Sequence, residues 1–287
     1  MARIFAAMSE NDRYIPGVPC WVDTTQPDPE AAVAFYGDLF GWQFEDVMPP
    51  DSPLPYFIAR LRGGDVAAVG SRPEGAAWNT YIWVEDADAS AATVKAAGGA
   101  VLVEPADVGD SGRMATCADP AGAAFRLWQP RAHRGAAIVN EPGSLNFNDL
   151  NTTDLESAAA FYGAVFGWDL LDTGGFSAWA LPAYGDFLEQ RTPGMRENMA
   201  AMGAPERFQD VVASAMPIAG DQPDTPAHWG VTFAVDDADA IAARAEQLGG
   251  TVVVPPFDAP WVRMTVISDP QGASFTASKF VPENKGL

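Results

Sequence analysis

Thr24-Thr25-Gln26-Pro27-Asp28-Pro29-Glu30-Ala31-Ala32-Val33-Ala34-Phe35-Tyr36-Gly37-Asp38-Leu39-Phe40-Gly41-Trp42 decides the fold, because the chain contains it twice. The second copy reads Asn151-Thr152-Thr153-Asp154-Leu155-Glu156-Ser157-Ala158-Ala159-Ala160-Phe161-Tyr162-Gly163-Ala164-Val165-Phe166-Gly167-Trp168. Asp28 and Asp154, Phe35 and Phe161, and Trp42 and Trp168 each stand 126 residues apart. Self-similarity at a fixed offset marks duplicated structural units. Each copy reads as a strand, a capped helix and a second strand. Asp28 and Asp154 suit the N-cap, where a carboxylate accepts from orphan backbone N–H groups at the positive helix end. Pro29 then falls at the first helical position, where its missing N–H costs nothing. Val33, Tyr36 and Phe40, like Ala159, Tyr162 and Phe166, recur at helical spacing and predict one buried stripe. Gly41 and Gly167 stop the helices.

Working outward, 287 residues suggest two domains, one for each copy. A 48% share of apolar residues lets each half bury a core. Seventeen basic residues against 38 acidic ones leave a net charge of −21, which excludes nucleic acid and anionic membranes as main partners. Two cysteines, Cys20 and Cys117, make neither a disulfide framework nor a four-thiolate metal site, and a reduced, cytoplasmic setting is expected. Met1 to Gly17 has no sustained apolar run and does not read as a signal peptide, and no stretch is long enough to span a bilayer.

Taken in order, Val18 to Asp23 reads as a strand, followed by the capped helix. Tyr56 to Arg62 and Val66 to Ser71 read as a hairpin turning at Gly63-Gly64-Asp65. A second module begins with strand Trp78 to Val84 and continues with a helix from Asp86, stopped by Gly98-Gly99. Strands Ala100 to Val103, Arg113 to Cys117 and Ala123 to Trp128 complete it, the last after the turn Asp119-Pro120-Ala121-Gly122. The pattern restarts at Leu145. Val84-Glu85-Asp86-Ala87-Asp88 returns as Val235-Asp236-Asp237-Ala238-Asp239, now 151 residues on. The second half therefore holds 151 minus 126, or 25, extra residues. Arg191 to Pro217, with Met195, Met199 and Met202, is the expected helical insertion, either a lid or a surface elaboration. The fold class is α+β, built from tandem βαβββ modules in two domains, about residues 15–130 and 143–281.

The ordered set Phe35-Tyr36-Gly37, Gly41-Trp42, Val84-Glu85-Asp86-Ala87-Asp88, Gly98-Gly99 and Asp119-Pro120-Ala121-Gly122, each seen again in the second half, resembles the vicinal oxygen chelate superfamily of glyoxalase I, bleomycin-resistance proteins and extradiol dioxygenases. Through Trp78-Asn79-Thr80-Tyr81-Ile82, Gly112-Arg113-Met114 and Val139-Asn140-Glu141 the chain looks in particular like two-domain actinobacterial glyoxalase-like members. The resemblance implies two half-barrel cups and, in members with chemistry, a metal held by three strand positions. Those positions fall here on Trp21, Asn79 and Arg126 in the first cup, and on Phe147, Gly230 and Thr276 in the second. None is a histidine or a carboxylate, whereas a divalent ion needs about three N, O or S donors. The chain has two histidines: His133 lies in the linker, and His228 lies two residues before a ligand position. A metal held by His228 with Asp149 is the exception to a reading without metal or other cofactor.

Strand alternation puts Trp21 with Asp23, and Phe147 with Asp149, on one face. Tyr81 and Trp83 share the parity of Asn79, and Trp128 shares that of Arg126. The first cup thus reads as an aromatic slot for a flat, bulky aromatic small molecule. Asp23, Arg126 and Asp149 are the candidate catalytic residues. Trp21, Tyr81, Trp83, Trp128, Tyr56, Asn79, Phe147, Trp179 and His228 are candidates for substrate contact. Cys20 lies opposite Trp21 in parity, and no nucleophile with a base is recognisable.

The expected function is metal-independent acid–base chemistry on an aromatic natural product, such as dehydration, cyclisation, ketal formation or isomerisation. Two alternatives are a non-catalytic drug-binding resistance protein and a metal-dependent lyase or dioxygenase. The tandem duplication is compatible with a monomer, and the insertion with a homodimer.

Overall fold

The computed structural model describes residues 13–174, 176–218 and 225–286. The first half contributes strands β1 (Pro19–Gln26), β2 (Gln43–Asp46), β3 (Tyr56–Leu61), β4 (Gly64–Ser71), β5 (Ala77–Trp83), β6 (Ala100–Val108), β7 (Gly112–Ala118) and β8 (Ala124–Pro130). They form one sheet in the order β2-β3-β4-β1-β5-β8-β7-β6. The second half repeats it with β9 (Leu145–Thr152), β10 (Asp169–Asp172), β11 (Ser177–Ala180), β12 (Val211–Pro217), β13 (His228–Ala234), β14 (Thr251–Ala259), β15 (Val262–Ser268) and β16 (Ser274–Phe280). That sheet runs β10-β11-β12-β9-β13-β16-β15-β14. Each βαβββ module places its first strand parallel to its last, with Asp23 opposite Ala68, Tyr81 opposite Arg126, Asp149 opposite Ser214 and Thr232 opposite Thr276.

Parallel neighbours require a crossover, and helices supply it. Helix α1 (Pro29–Phe40) starts where Asp28 Oδ1 accepts from the Ala31 N–H at 3.0 Å, and Gly41 at φ 73° ends it. Its counterpart α3 (Leu155–Phe166) has Asp154 accepting from Ser157 at 2.9 Å and Gly167 at φ 71°. The modules between carry α2 (Ala87–Ala96) and α6 (Ala238–Gln247), capped by Asp86 and Asp237. No helix among the described residues is long and apolar enough to cross a membrane.

Packing divides the chain into two compact units that do not coincide with the sequence halves. One takes the residues up to Cys20, Thr80–Gly135 and Asn148–Trp229; the other takes Trp21–Asn79, Ala136–Phe147 and the chain from Gly230 onward. The core of the first joins Ile82, Phe125 and Leu127 to Phe161 and Tyr162 of α3 and to Trp168, Trp179 and Trp229. In the second, Val22, Val66 and Val69 meet Phe35 and Tyr36 of α1 with Trp42, Trp78, Phe233 and Phe275. The aromatic residues of the repeated stretch are therefore core, and their polar edges are bonded. Trp42 Nε1 donates to the Gly143 carbonyl at 2.7 Å, and Trp168 Nε1 to the Gly17 carbonyl at 2.8 Å.

Two boundaries depart from expectation. The β3–β4 hairpin turns at Arg62 and Gly63 (φ 52° and 86°), and the strand resumes at Gly64. Positive φ at both central residues matches the right-handed twist of the strands, so two residues suffice. The insertion lies earlier than expected: α4 (Pro182–Arg191), α5 (Met195–Ala201) and a 3₁₀ turn at Phe208–Asp210 hold it, with Leu188, Met195 and Met199 as a small core. Val211–Pro217, expected to be helical, is the central strand β12 between β11 and β9. Its apolar run gains more from ladder pairing than an isolated helical turn would.

Candidate functional site

In the second unit, Val22, Ala67 and Val69 turn toward α1, so Trp21, Asp23, Ala68 and Gly70 face the other way. Asp23 is 1% exposed. Its Oδ2 accepts from the Tyr56 hydroxyl at 3.0 Å and its Oδ1 from Asn79 Nδ2 at 2.7 Å. Trp21 Nε1 donates to the Tyr56 hydroxyl oxygen at 3.4 Å. Tyr56 and Asn79 are half-buried, while Trp21 is buried. Tyr56 pairs with Gly70, where a Cβ would come within 3.2 Å of the phenol ring, so glycine lets the ring lie against the sheet. Four of the sequence candidates thus form one hydrogen-bonded chain, Trp21–Tyr56–Asp23–Asn79.

In the first unit, Tyr81 and Arg126 are cross-strand partners. The guanidinium lies 5.0 Å from the Tyr81 ring centre, and its Nη1 donates to the Tyr81 hydroxyl. Trp83 pairs with Trp128; the Trp128 ring meets Tyr81 edge-on at 6.1 Å, and its Nε1 donates to the His133 carbonyl at 3.0 Å. Trp83 is stacked on Tyr14 at 6.0 Å and lies under the Arg134 guanidinium at 5.2 Å. Asp149 is half-buried and accepts from the Ser214 hydroxyl. Phe147, in the other unit, is also half-buried.

Two candidates are placed elsewhere. Trp179 is fully buried against Tyr162 and Trp168, at 5.4 and 6.0 Å, and belongs to the core. His228 is exposed, with Nδ1 2.9 Å from the Pro226 carbonyl, because its neighbour Trp229 is the residue that packs against Tyr162. Both thiols are buried and inert: desolvation pushes Cys117 up to about 12 and Cys20 higher still. Arg113 is tied to Asp88 and Asp107, and Arg263 to Asp239 and Asp258, as surface ion pairs.

Sequence reasoning missed Ser214 because its strand was expected to be helical. It also left Tyr14 and Arg134 unassigned. The signal for Ser214 was present, since it is the one hydroxyl in the apolar run Val211-Val212-Ala213-Ser214-Ala215-Met216.

The fold and these strand positions define a protein of the vicinal oxygen chelate type. Residues 21–127 and 144–276 match the model of the Glyoxalase/Bleomycin resistance protein/Dioxygenase superfamily, and the chain belongs to that family. It is 38% identical over 287 residues to a glyoxylase by name, CFP32 of Mycobacterium tuberculosis, spanning 96% of this chain and 100% of that one. It is 35% identical over 286 residues to the anthracycline biosynthesis protein DnrV of Streptomyces peucetius, spanning 92% and 94%. The Mn(II)-bound glyoxalase of Novosphingobium aromaticivorans superposes with a TM-score of 0.59 at 17% identity, covering 92% of this chain and 83% of that one. That last likeness is one of fold.

The metal of such relatives does not fit the residues present here. Trp21 has only an N–H to offer and directs it at Tyr56, while Asn79 turns its NH₂ toward Asp23. Arg126 is an obligate cation, and Phe147 and Gly230 have no side-chain donor atoms. Among the described residues, no three His, Cys, Asp or Glu side chains are grouped to hold an ion.

Proposed function

We propose that this protein is a tailoring enzyme of aromatic polyketide metabolism that performs acid–base chemistry without a metal on a bulky aromatic substrate. The observation that carries the reading is the Trp21–Tyr56–Asp23–Asn79 chain. Where a metal-binding relative would place a ligand, this protein has an indole donor. One strand step away, it has a carboxylate whose two oxygens are aimed by a phenol and an amide. Such a group transfers protons, and positioned proton transfer contributes about 10²–10⁴-fold to rate. The kinship with an anthracycline biosynthesis protein supports a polycyclic aromatic substrate. Arg126, held by Tyr81, and Asp149, held by Ser214, both in the first unit, are proposed as further charged groups there.

The test is metal analysis joined to turnover of anthracyclinone ketones by untagged protein. Conversion with no stoichiometric divalent ion is expected. Conversion that requires bound manganese, iron or zinc would overturn the reading, and tight binding with no product would replace it with sequestration.

A further inference from the structure

Within the hydrogen-bonded chain, the two titratable members are not equally placed. Asp23 is sealed at 1% exposure, and neither of its oxygens is left to a ligand: one takes the Tyr56 hydroxyl, the other the Asn79 amide. Tyr56 is half-buried and reaches the face on which Trp21 lies. Its hydroxyl proton points at Asp23 while its oxygen accepts from the Trp21 indole.

We propose that Tyr56 is the catalytic residue that exchanges protons with the substrate, and that Asp23 is a positioning residue and proton store behind it. This rests on the acid–base reading above and assigns its roles. The substrate class is an enolisable ketone, or a phenol in conjugation with one, carried on an aromatic ring system. A proton leaves a substrate carbon next to the carbonyl for Tyr56 Oη, and the C–H electron pair stays on the substrate as the enolate. Tyr56 passes its own proton to Asp23 Oδ2. The reverse sequence returns a proton to the substrate, so the enzyme ends as it began and no co-reactant is needed.

Three features serve this division of labour. Asn79 fixes the carboxylate so that one oxygen alone meets the phenol. Trp21 Nε1 donates to the phenol oxygen, which stabilises negative charge on it during transfer. Gly70 lets the ring lie where a side chain would displace it.

The probe is daunomycinone, whose side-chain methyl ketone is enolisable, incubated in deuterium oxide with exchange read by mass spectrometry. Wild-type protein should exchange these protons faster than buffer. Tyr56→Phe should lower the rate by about 10²-fold or more, while its dissociation constant, from tryptophan quenching, stays within about threefold of wild type, well under a 1.4 kcal/mol change. Asp23→Asn should keep its dissociation constant within about threefold of wild type but lower the exchange rate, and Asp23→Glu should restore part of that rate, a split that a purely structural role would not give. If Tyr56→Phe loses its native circular dichroism, a fluorotyrosine at position 56 replaces it. A pH profile displaced toward acid supports the assignment, and an unmoved one overturns it. Exchange at the wild-type rate in Tyr56→Phe, with loss in Asp23→Asn, would overturn this assignment and leave the acid–base reading standing. Exchange no faster than buffer in wild-type protein would overturn both.

Discussion

Tyr36 and Asp269 stand 233 positions apart in the chain, yet the Tyr36 hydroxyl donates to Asp269 Oδ2 at 2.8 Å. Trp78 Nε1 donates to the same hydroxyl at 3.2 Å, and Gln26 Nε2 reaches Asp269 Oδ2 at 2.6 Å. The other unit repeats the motif, with Tyr162 donating to Asp119 at 3.1 Å and Trp229 to Tyr162 at 2.9 Å. In both, the tyrosine of the repeated Phe-Tyr-Gly meets the aspartate of an Asp-Pro-x-Gly turn from the opposite half of the sequence.

Removing that hydroxyl should be costly. Tyr36→Phe deprives Asp269 of a donor and leaves the buried Trp78 N–H without its acceptor. A loss of about 1–3 kcal/mol in urea denaturation is expected. A loss below about 0.5 kcal/mol would mean that the contact is not one on which the unit depends.

The Asp119 carboxyl makes the first unit sensitive to pH. Burial raises its pKa above the usual 3.8, and the backbone N–H groups and the Tyr162 hydroxyl offset this only in part. A raised folded pKa means that folding favours the protonated form. The contribution to stability is then full below about 3.8 and is lost as the pH rises through the folded pKa. The stability of wild-type protein relative to Asp119→Asn should therefore improve on acidification from neutral pH. Denaturation series at matched pH check this, and a difference that is flat or of opposite sign would refute it.

Two buried tryptophans should respond differently to the same substitution. Trp168 Nε1 is bonded to the Gly17 carbonyl, whereas Trp179 Nε1 is buried with no hydrogen-bond partner. Both changes to phenylalanine leave a cavity, but only Trp168→Phe also strands an acceptor. Trp168→Phe should cost about 1–3 kcal/mol more than Trp179→Phe. Equal losses in calorimetry would count against the hydrogen bond as the source.

Much of the fold was legible because its signals are local. A cap is satisfied within about three residues and a helical stripe repeats within four, so Asp28, Asp154, Gly41 and Gly167 spoke for themselves. Strand parity likewise placed Trp21 beside Asp23. It did not reveal that Tyr56, 33 residues later, is Asp23's partner, because that depends on the register of β3 and β4 and on the absence of a side chain at Gly70. Residue type alone left Trp179 open between lining and core, and only its contacts with Tyr162 and Trp168 put it in the core.

By itself the sequence determined the duplication, the four βαβββ modules, their caps, and the poverty of metal donors at the ligand positions. Each of these is a matter of residue identity or of near-neighbour geometry. The tertiary structure alone decided that Tyr36 answers to Asp269 and Tyr162 to Asp119, and that the acid at Asp23 lies sealed behind Tyr56. Four similar modules present four similar apolar faces, and composition does not distinguish among their pairings. Close packing, strand register and the hydrogen bonds between particular buried polar groups do.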